Sequence, residues 1–175
     1  ILQSDASKDL QDFIEREQIP SISTILGMGA VPCDHELYYS WLGMHGMKYA
    51  NLAVQHADCI IALGIRFDDR ITGKLSTFAP NADIIHVDID EGEGSKNVPT
   101  RAFVHSDLKI FLQNFPCTLN NVNKMRRSSW IEELNILKEK FPLKPASHEK
   151  MTMISAIDLL AKAESDDMIV ATDVG

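Results

Sequence analysis

The sequence predicts an α/β fold on a doubly wound, mainly parallel sheet with flanking helices, Rossmann-like in outline. Three observations predict it. Cys59-Ile60-Ile61-Ala62-Leu63 is a continuous apolar run of strand length, as expected for a buried strand, and residues 83–90 read as another strand. Segments with apolar residues at helical i, i+3, i+4 spacing alternate with them, the signature of a layered α/β architecture. Several of the strand-like runs end in glycine or aspartate, where open parallel sheets place their ligands.

The elements follow in order. Ser4 or Asp5 is the expected cap of a first helix, whose Leu10, Phe13 and Ile14 share a face before Pro20. Ile22-Ser23-Thr24-Ile25-Leu26 reads as a strand ended by Gly27 and Gly29. Residues 30–48 show no period and are rich in Gly, Pro, His and aromatics, which is loop chemistry. A long ordered loop in a compact domain is often functional. A helix over 49–58 is expected to place Leu52, Ala53 and His56 together.

Strands follow at 59–63, 83–90 and 102–104, the middle one ending in acidic turn residues and a polar loop over 91–101. Ser106 or Asp107 then caps a helix with Leu108, Phe111, Leu112 and Phe115 in register. Residues 116–127 read as a polar connection. Residues 128–141 read as a helix with Ile131, Leu134, Leu137 (or Lys138) and Phe141 aligned. Pro142 and Pro145 bracket a linker. Thr152 caps a helix through Ala163, and Met168-Ile169-Val170-Ala171-Thr172 reads as a final strand. The domains expected are therefore residues 1–141, a linker at 142–151, and the start of a second domain at 152–175. The chain opens without Met and stops where a strand should feed a loop, so a piece of a longer protein is expected.

Bulk properties narrow the function. A net charge of −8 argues against a broad nucleic-acid surface. No apolar run reaches the length of a membrane span, and no targeting segment is visible. Cys33, Cys59 and Cys117 are odd in number and lack CxxC spacing, which argues against a disulfide framework or structural zinc and favours a reducing compartment. No GxSxG, HExxH or P-loop is present.

Chemistry concentrates after the strands: Gly27, Gly64 with Arg66, Asp88 with Asp90, and Ser106 with Asp107. Glycine admits backbone to a ligand, arginine grips phosphate or carboxylate through two N–H bonds, and a strand-end aspartate accepts ribose hydroxyls. These are the parts of an adenine-nucleotide cradle, although no GxGxxG is present. Plain readings stand beside it. Arg66, Asp68, Asp69 and Arg70 also suit a surface salt-bridge cluster, His45 a backbone-bonded loop residue, and Asp88 and Asp90 turn formers.

Thr24-Ile25-Leu26-Gly27-Met28-Gly29-Ala30, Leu42-Gly43-Met44-His45-Gly46, Tyr49-Ala50-Asn51, residues 64–74 (the RFDDRxTGK stretch) and His86-Val87-Asp88-Ile89-Asp90 come in sequence. In order and separation they resemble the catalytic subunit of the acetohydroxyacid synthase (acetolactate synthase) family. The resemblance implies the family's central FAD-binding domain without its first strand, followed by the start of the third, thiamine-diphosphate-binding domain. It implies a parent that joins two 2-oxoacids, pyruvate with pyruvate or 2-oxobutanoate, with loss of CO2 in branched-chain amino-acid biosynthesis. FAD does no net redox work there. The fragment alone is expected to be inactive, because the glutamate that activates the thiamine and the residues that bind Mg2+ belong to absent segments.

Carried onto this chain, the resemblance implies that Thr24, Ile25, Gly43, Met44, His45, Gly64, Arg66, Asp68, Arg70 and Ile71 line FAD. It implies that Asp88, Ile89 and Asp107 meet the adenosine half. Met44, Asp69 and Arg70 match the mouth of the substrate channel, with Arg70 facing the substrate carboxylate. Val174 and Gly175 match the edge of the thiamine diphosphate site. Ser106 departs from the glycine usual before that aspartate. The implied partners are 2-oxoacids, the protein's own missing domains, a second or further copies in a dimer or tetramer, and a regulatory subunit. The implied location is cytoplasmic in a bacterium or organellar in a eukaryote. Rival expectations are the central domain of a pyruvate oxidase or oxalyl-CoA decarboxylase, a stand-alone flavin module, and an NAD-dependent deacylase, which lacks support because paired CxxC motifs are absent.

Overall fold

Apolar continuity in Cys59-Ile60-Ile61-Ala62-Leu63 is explained by what covers each face. The computed structural model describes residues 1–115, 121–143, 151–163, 165 and 168–171. In it, Cys59–Leu63 is strand β3 of a three-stranded parallel sheet in the order β3-β4-β5, with β4 at Asp83–Asp88 and β5 at Ala102–His105. Successive strand side chains point to opposite faces. Ile61 and Leu63 pack against the cluster of α1 (Ser7–Glu17) and α4 (Leu108–Asn114), built on Leu10, Phe13, Ile14 and Leu112. Ile60 and Ala62 pack the other way, with Phe67, Phe78, Ile84 and Val54 of α2 (Lys48–His56). Helices thus contribute to both faces, as the doubly wound reading requires.

A second parallel pair joins β1 (Ser21–Ser23) to β2 (Tyr38–Trp41), with a register irregularity between Ser21 and Ser23. Tyr39 of β2 is buried against Tyr49, Ala50 and Ala53 of α2 and Leu134 of α5 (Asn121–Lys140). Its hydroxyl donates to Asn135 Oδ1 at 2.8 Å, so burial leaves the polar end satisfied.

The chain divides into two compact units, Ile1–Phe141 and Pro142–Gly175. In the second, α6 (Met153–Lys162) starts at Thr152 in a reciprocal capping box with Ser155, as the Thr152 cap predicts.

Several elements differ from the sequence reading. The first helix starts at Ser7 after Ala6, without a side-chain cap from Ser4 or Asp5. The strand at 22–26 stops at Ser23, and Ile25–Gly27 turns as a 3-10 helix. The aperiodic stretch 30–48 contains β2. Helix α2 buries Tyr49, Ala50 and Ala53, whereas His56 is exposed and lies 3.5 Å from Glu133. A short helix α3 (Asp69–Thr72) forms inside the RFDDR stretch. Helix α5 starts at Asn121, within the stretch read as a connection. Residues 168–171 form no strand, and no described strand pairs with them. The Met168 N–H instead donates to the Ser165 carbonyl at 2.9 Å, a local turn contact rather than a ladder bond. Residues 144–150 of the expected linker, and Thr172, lie outside the described residues.

Candidate functional site

The loops that follow β2 and β3 are joined by direct backbone contact. The Met44 N–H donates to the Arg70 carbonyl at 2.8 Å. Gly43 makes that approach possible: its φ is +114°, and a Cβ there would stand 2.8 Å from the same oxygen. Glycine alone adopts such a φ without strain. Asn51 of α2 clamps this glycine from the other side, accepting from its N–H at 2.9 Å and donating to its carbonyl at 3.0 Å.

The second loop is pinned independently. Gly64 leaves β3 with φ +67° while its N–H donates to Val87 O at 2.8 Å. Phe67 is buried in the left-handed region, φ +50°, which is uncommon for a bulky residue. Asn97 Nδ2 holds the turn by donating to both the Arg66 and Phe67 carbonyls at 3.2 Å. Asp68 then caps α3, its Oδ1 accepting from the Arg70 and Ile71 N–H groups at 3.1 and 3.2 Å. Among the described residues no ion pair joins Arg66, Asp68, Asp69 and Arg70. The salt-bridge reading of that cluster therefore has no contact to rest on. Arg66, Asp69 and Arg70 are exposed, and Ile71 is half-buried.

The remaining strand ends complete an edge. Asp88 closes β4, nearly buried, with Oδ1 accepting from the Asp90 N–H at 2.9 Å. Asp107 caps α4 by accepting from Lys109 and Ile110 at 2.9 and 3.2 Å. The Ile110 N–H, first among its neighbours, holds its carboxyl below the ordinary value of 3.8. Both Asp68 and Asp107 are thus engaged as helix caps. Thr24 is half-buried and His45 exposed. Large apolar side chains stand in the open at these ends: Ile25 is 60% exposed, Met44 59% and Ile89 68%. Apolar groups left in the open beside glycine-rich turns suit a flat, partly apolar ligand.

Sequence reasoning gave no site role to Asn51, Phe67, His86 or Asn97, although the first three lie in motifs that carry the resemblance. A polar residue within the apolar strand 83–88 was the available signal for His86. Nothing local marks Asn97, whose partners lie 30 and 31 residues away. Val174 and Gly175 lie outside the described residues. Cys33 and Cys59 are free and exposed. Among the described residues no three His, Cys, Asp or Glu side chains gather as a metal site, and no helix is long and apolar enough to cross a membrane.

The profile of the thiamine pyrophosphate enzyme central domain matches residues 1–115. The chain belongs to this family. Every described strand and both clamped loops fall inside the matched stretch. Among relatives of this central domain, the chloroplastic acetolactate synthase of Arabidopsis thaliana is 42% identical over 174 residues, covering 97% of this chain and 26% of the relative. Acetolactate synthase 3 of Brassica napus is 41% identical, covering 97% and 27%. Acetolactate synthase 2 of Nicotiana tabacum is 40% identical, covering 98% and 26%. The chain therefore spans about a quarter of the length of these relatives.

Proposed function

We propose that this chain is the central, FAD-holding part of an acetolactate synthase. The observation that carries the reading is the joining of the Gly43–Met44 and Arg66–Arg70 loops by the Met44 N–H to Arg70 carbonyl bond. That contact builds one continuous wall from two segments, and Ile25, Met44 and Ile89 are open apolar side chains just past the ends of their strands. The residues present fit a flavin. Thr24, Ile25, Gly43, Met44, His45, Gly64, Arg66, Asp68, Arg70 and Ile71 line the cofactor, and Asp88, Ile89 and Asp107 meet its adenosine half. The glycines admit it closely, the apolar side chains face its rings, and Arg66 offers donors to its diphosphate. Asp68 and Asp107 contribute by fixing loop geometry, since helix N–H groups engage their carboxylates.

Met44, Asp69 and Arg70 shape the mouth of the substrate channel. The exposed Arg70 guanidinium, in no ion pair among the described residues, meets the carboxylate of a 2-oxoacid. The parent condenses pyruvate with pyruvate or 2-oxobutanoate, and its thiamine diphosphate and Mg2+ are held by segments outside this chain, with Val174 and Gly175 at the thiamine edge. The domains are residues 1–141 for the flavin, a linker at 142–151 and the start of the thiamine domain at 152–175. The parent assembles as a homodimer or tetramer, open to a regulatory subunit, in the cytoplasm of a bacterium or in an organelle.

The test is acetolactate formation. The longer protein that carries this chain is expected to form it from pyruvate, and Arg70→Ala should raise KM for pyruvate about tenfold or more by removing a charge-assisted pair. The chain alone is expected to form none with every cofactor supplied. Turnover by the chain alone, or an unchanged KM in the variant, contradicts the assignment.

A further inference from the structure

His86 and Asp88 stand two residues apart on β4, so their side chains leave the same face. The His86 ring is wedged edge-on between Phe67 and Phe103, with centroids 5.2 and 5.4 Å away. It is fully buried, and neither ring nitrogen has a hydrogen-bond partner among the described residues. Every imidazole tautomer carries at least one N–H, and a buried donor without a partner is unfavourable. Shape alone does not call for that: a hydrocarbon side chain fills an aromatic sandwich without the polar burden.

An acceptor faces the ring. Asp88 Oδ2 lies 3.7 Å from Nε2, within ion-pair reach but beyond a hydrogen bond. The other oxygen, Oδ1, is already held by the Asp90 N–H. One carboxylate oxygen is therefore already held, and the other faces the imidazole. Closing the gap to the ~2.8 Å of a charge-assisted bond needs only a small torsion of either side chain.

We propose that His86 is a positioning residue of the cofactor site. Its Nε2–H steers Asp88 Oδ2 and so sets the edge that accepts the ribose hydroxyls of the ligand's adenosine half. This rests on the flavin reading above and deepens it. Phe67 ties the device to the other wall, because the ring that packs on His86 belongs to the same left-handed residue whose carbonyl Asn97 holds. The arrangement places the strand-end carboxylate and the Arg66–Arg70 loop on a shared aromatic support.

The test titrates FAD, and separately FMN, which lacks the adenosine half, into the purified chain and its variants. His86→Phe keeps the ring packing and removes the donor. It should retain the melting transition, weaken FAD about tenfold and leave FMN unchanged. His86→Gln returns an N–H near the Nε2 position and should recover affinity to within about threefold of the parent. The double variant His86→Phe with Asp88→Asn should bind FAD no more weakly than Asp88→Asn alone, because the histidine acts through that carboxylate. If the larger ring abolishes the melting transition, His86→Leu replaces it in the same comparison. Unchanged FAD affinity in the donor-less variant, or equal losses for FAD and FMN, overturns the positioning role. Absence of FAD binding by the unsubstituted chain overturns the flavin reading and this inference with it, a result distinct from a failure of the variants alone.

Discussion

A methyl group added at Gly43 would meet the Arg70 carbonyl oxygen at 2.8 Å, in a backbone with φ +114°. Contact and torsion act in the same direction. Gly43→Ala is expected to destabilise the chain by about 1–3 kcal/mol, the range for a non-glycine residue forced into such a region, and denaturant unfolding measures it. Because the same glycine sets the spacing of two loops, flavin affinity should fall with it. A variant as stable as the parent would show that the loops separate at no cost. At this scale the sequence was legible where residue type and torsion coincide: Gly43 and Gly64 announce close approaches because only glycine suits them. The roles of Asn51 and Asn97 were not legible, since each works through backbone groups of another segment, eight residues away for Asn51 and 30 and 31 for Asn97, and an asparagine in a helix or loop carries no local mark of its partner.

Helix ends and helix docking are the next level. Asp107 caps α4, and the Ile110 N–H lowers its carboxyl below the ordinary value of 3.8. A group lowered on folding contributes stability that is present above its unfolded value and is lost as pH falls through the folded one. Acid unfolding of the chain should therefore carry a component below about pH 3.8, and Asp107→Asn, which keeps a cap without a titrating charge, should flatten it. A melting temperature with the same acid slope in that variant would contradict the assignment. Leu134 joins α5 to α2 and β2 and is 1% exposed. Leu134→Ala should cost about 2–5 kcal/mol, the usual range for truncating a buried leucine, as read by chemical denaturation. A loss below one kcal/mol would mean α5 is not docked there.

Most elements could be read from period and punctuation, because β3, α4 and α6 carry uninterrupted patterns and, for the two helices, a capping residue. Strand β2 could not. Its Tyr38-Tyr39-Ser40-Trp41 is short, Ser40 has φ +62°, and glycines and prolines surround it, so neither alternation nor a buried run is long enough to register. The 3-10 turn at Ile25–Gly27 was hidden for the opposite reason. Its β-branched and apolar residues prolong the strand pattern past the point where the backbone turns.

Among the described residues, two parallel sheets, the larger with helices contributing to both faces, put backbone and side chains to different uses. Alternating residues such as Ile60 and Ile61 build the two clusters, while the strand carboxyl ends hold glycines, caps and open apolar groups. Sequence order alone located that edge, because parallel strands bring their carboxyl ends together and the loops after them carry unusual residues. It did not disclose how the edge is held, which depends on the Met44–Arg70 and Asn97–Phe67 bonds between segments remote in sequence.

The most direct test of the central claim is an equilibrium titration of FAD into the purified chain, followed by flavin fluorescence, with Gly43→Ala alongside. The prediction is saturable binding, one FAD per chain, readily reversible on gel filtration and markedly weaker in the variant. No saturable binding, or equal binding by chain and variant, would contradict the claim that these two joined loops form a flavin wall.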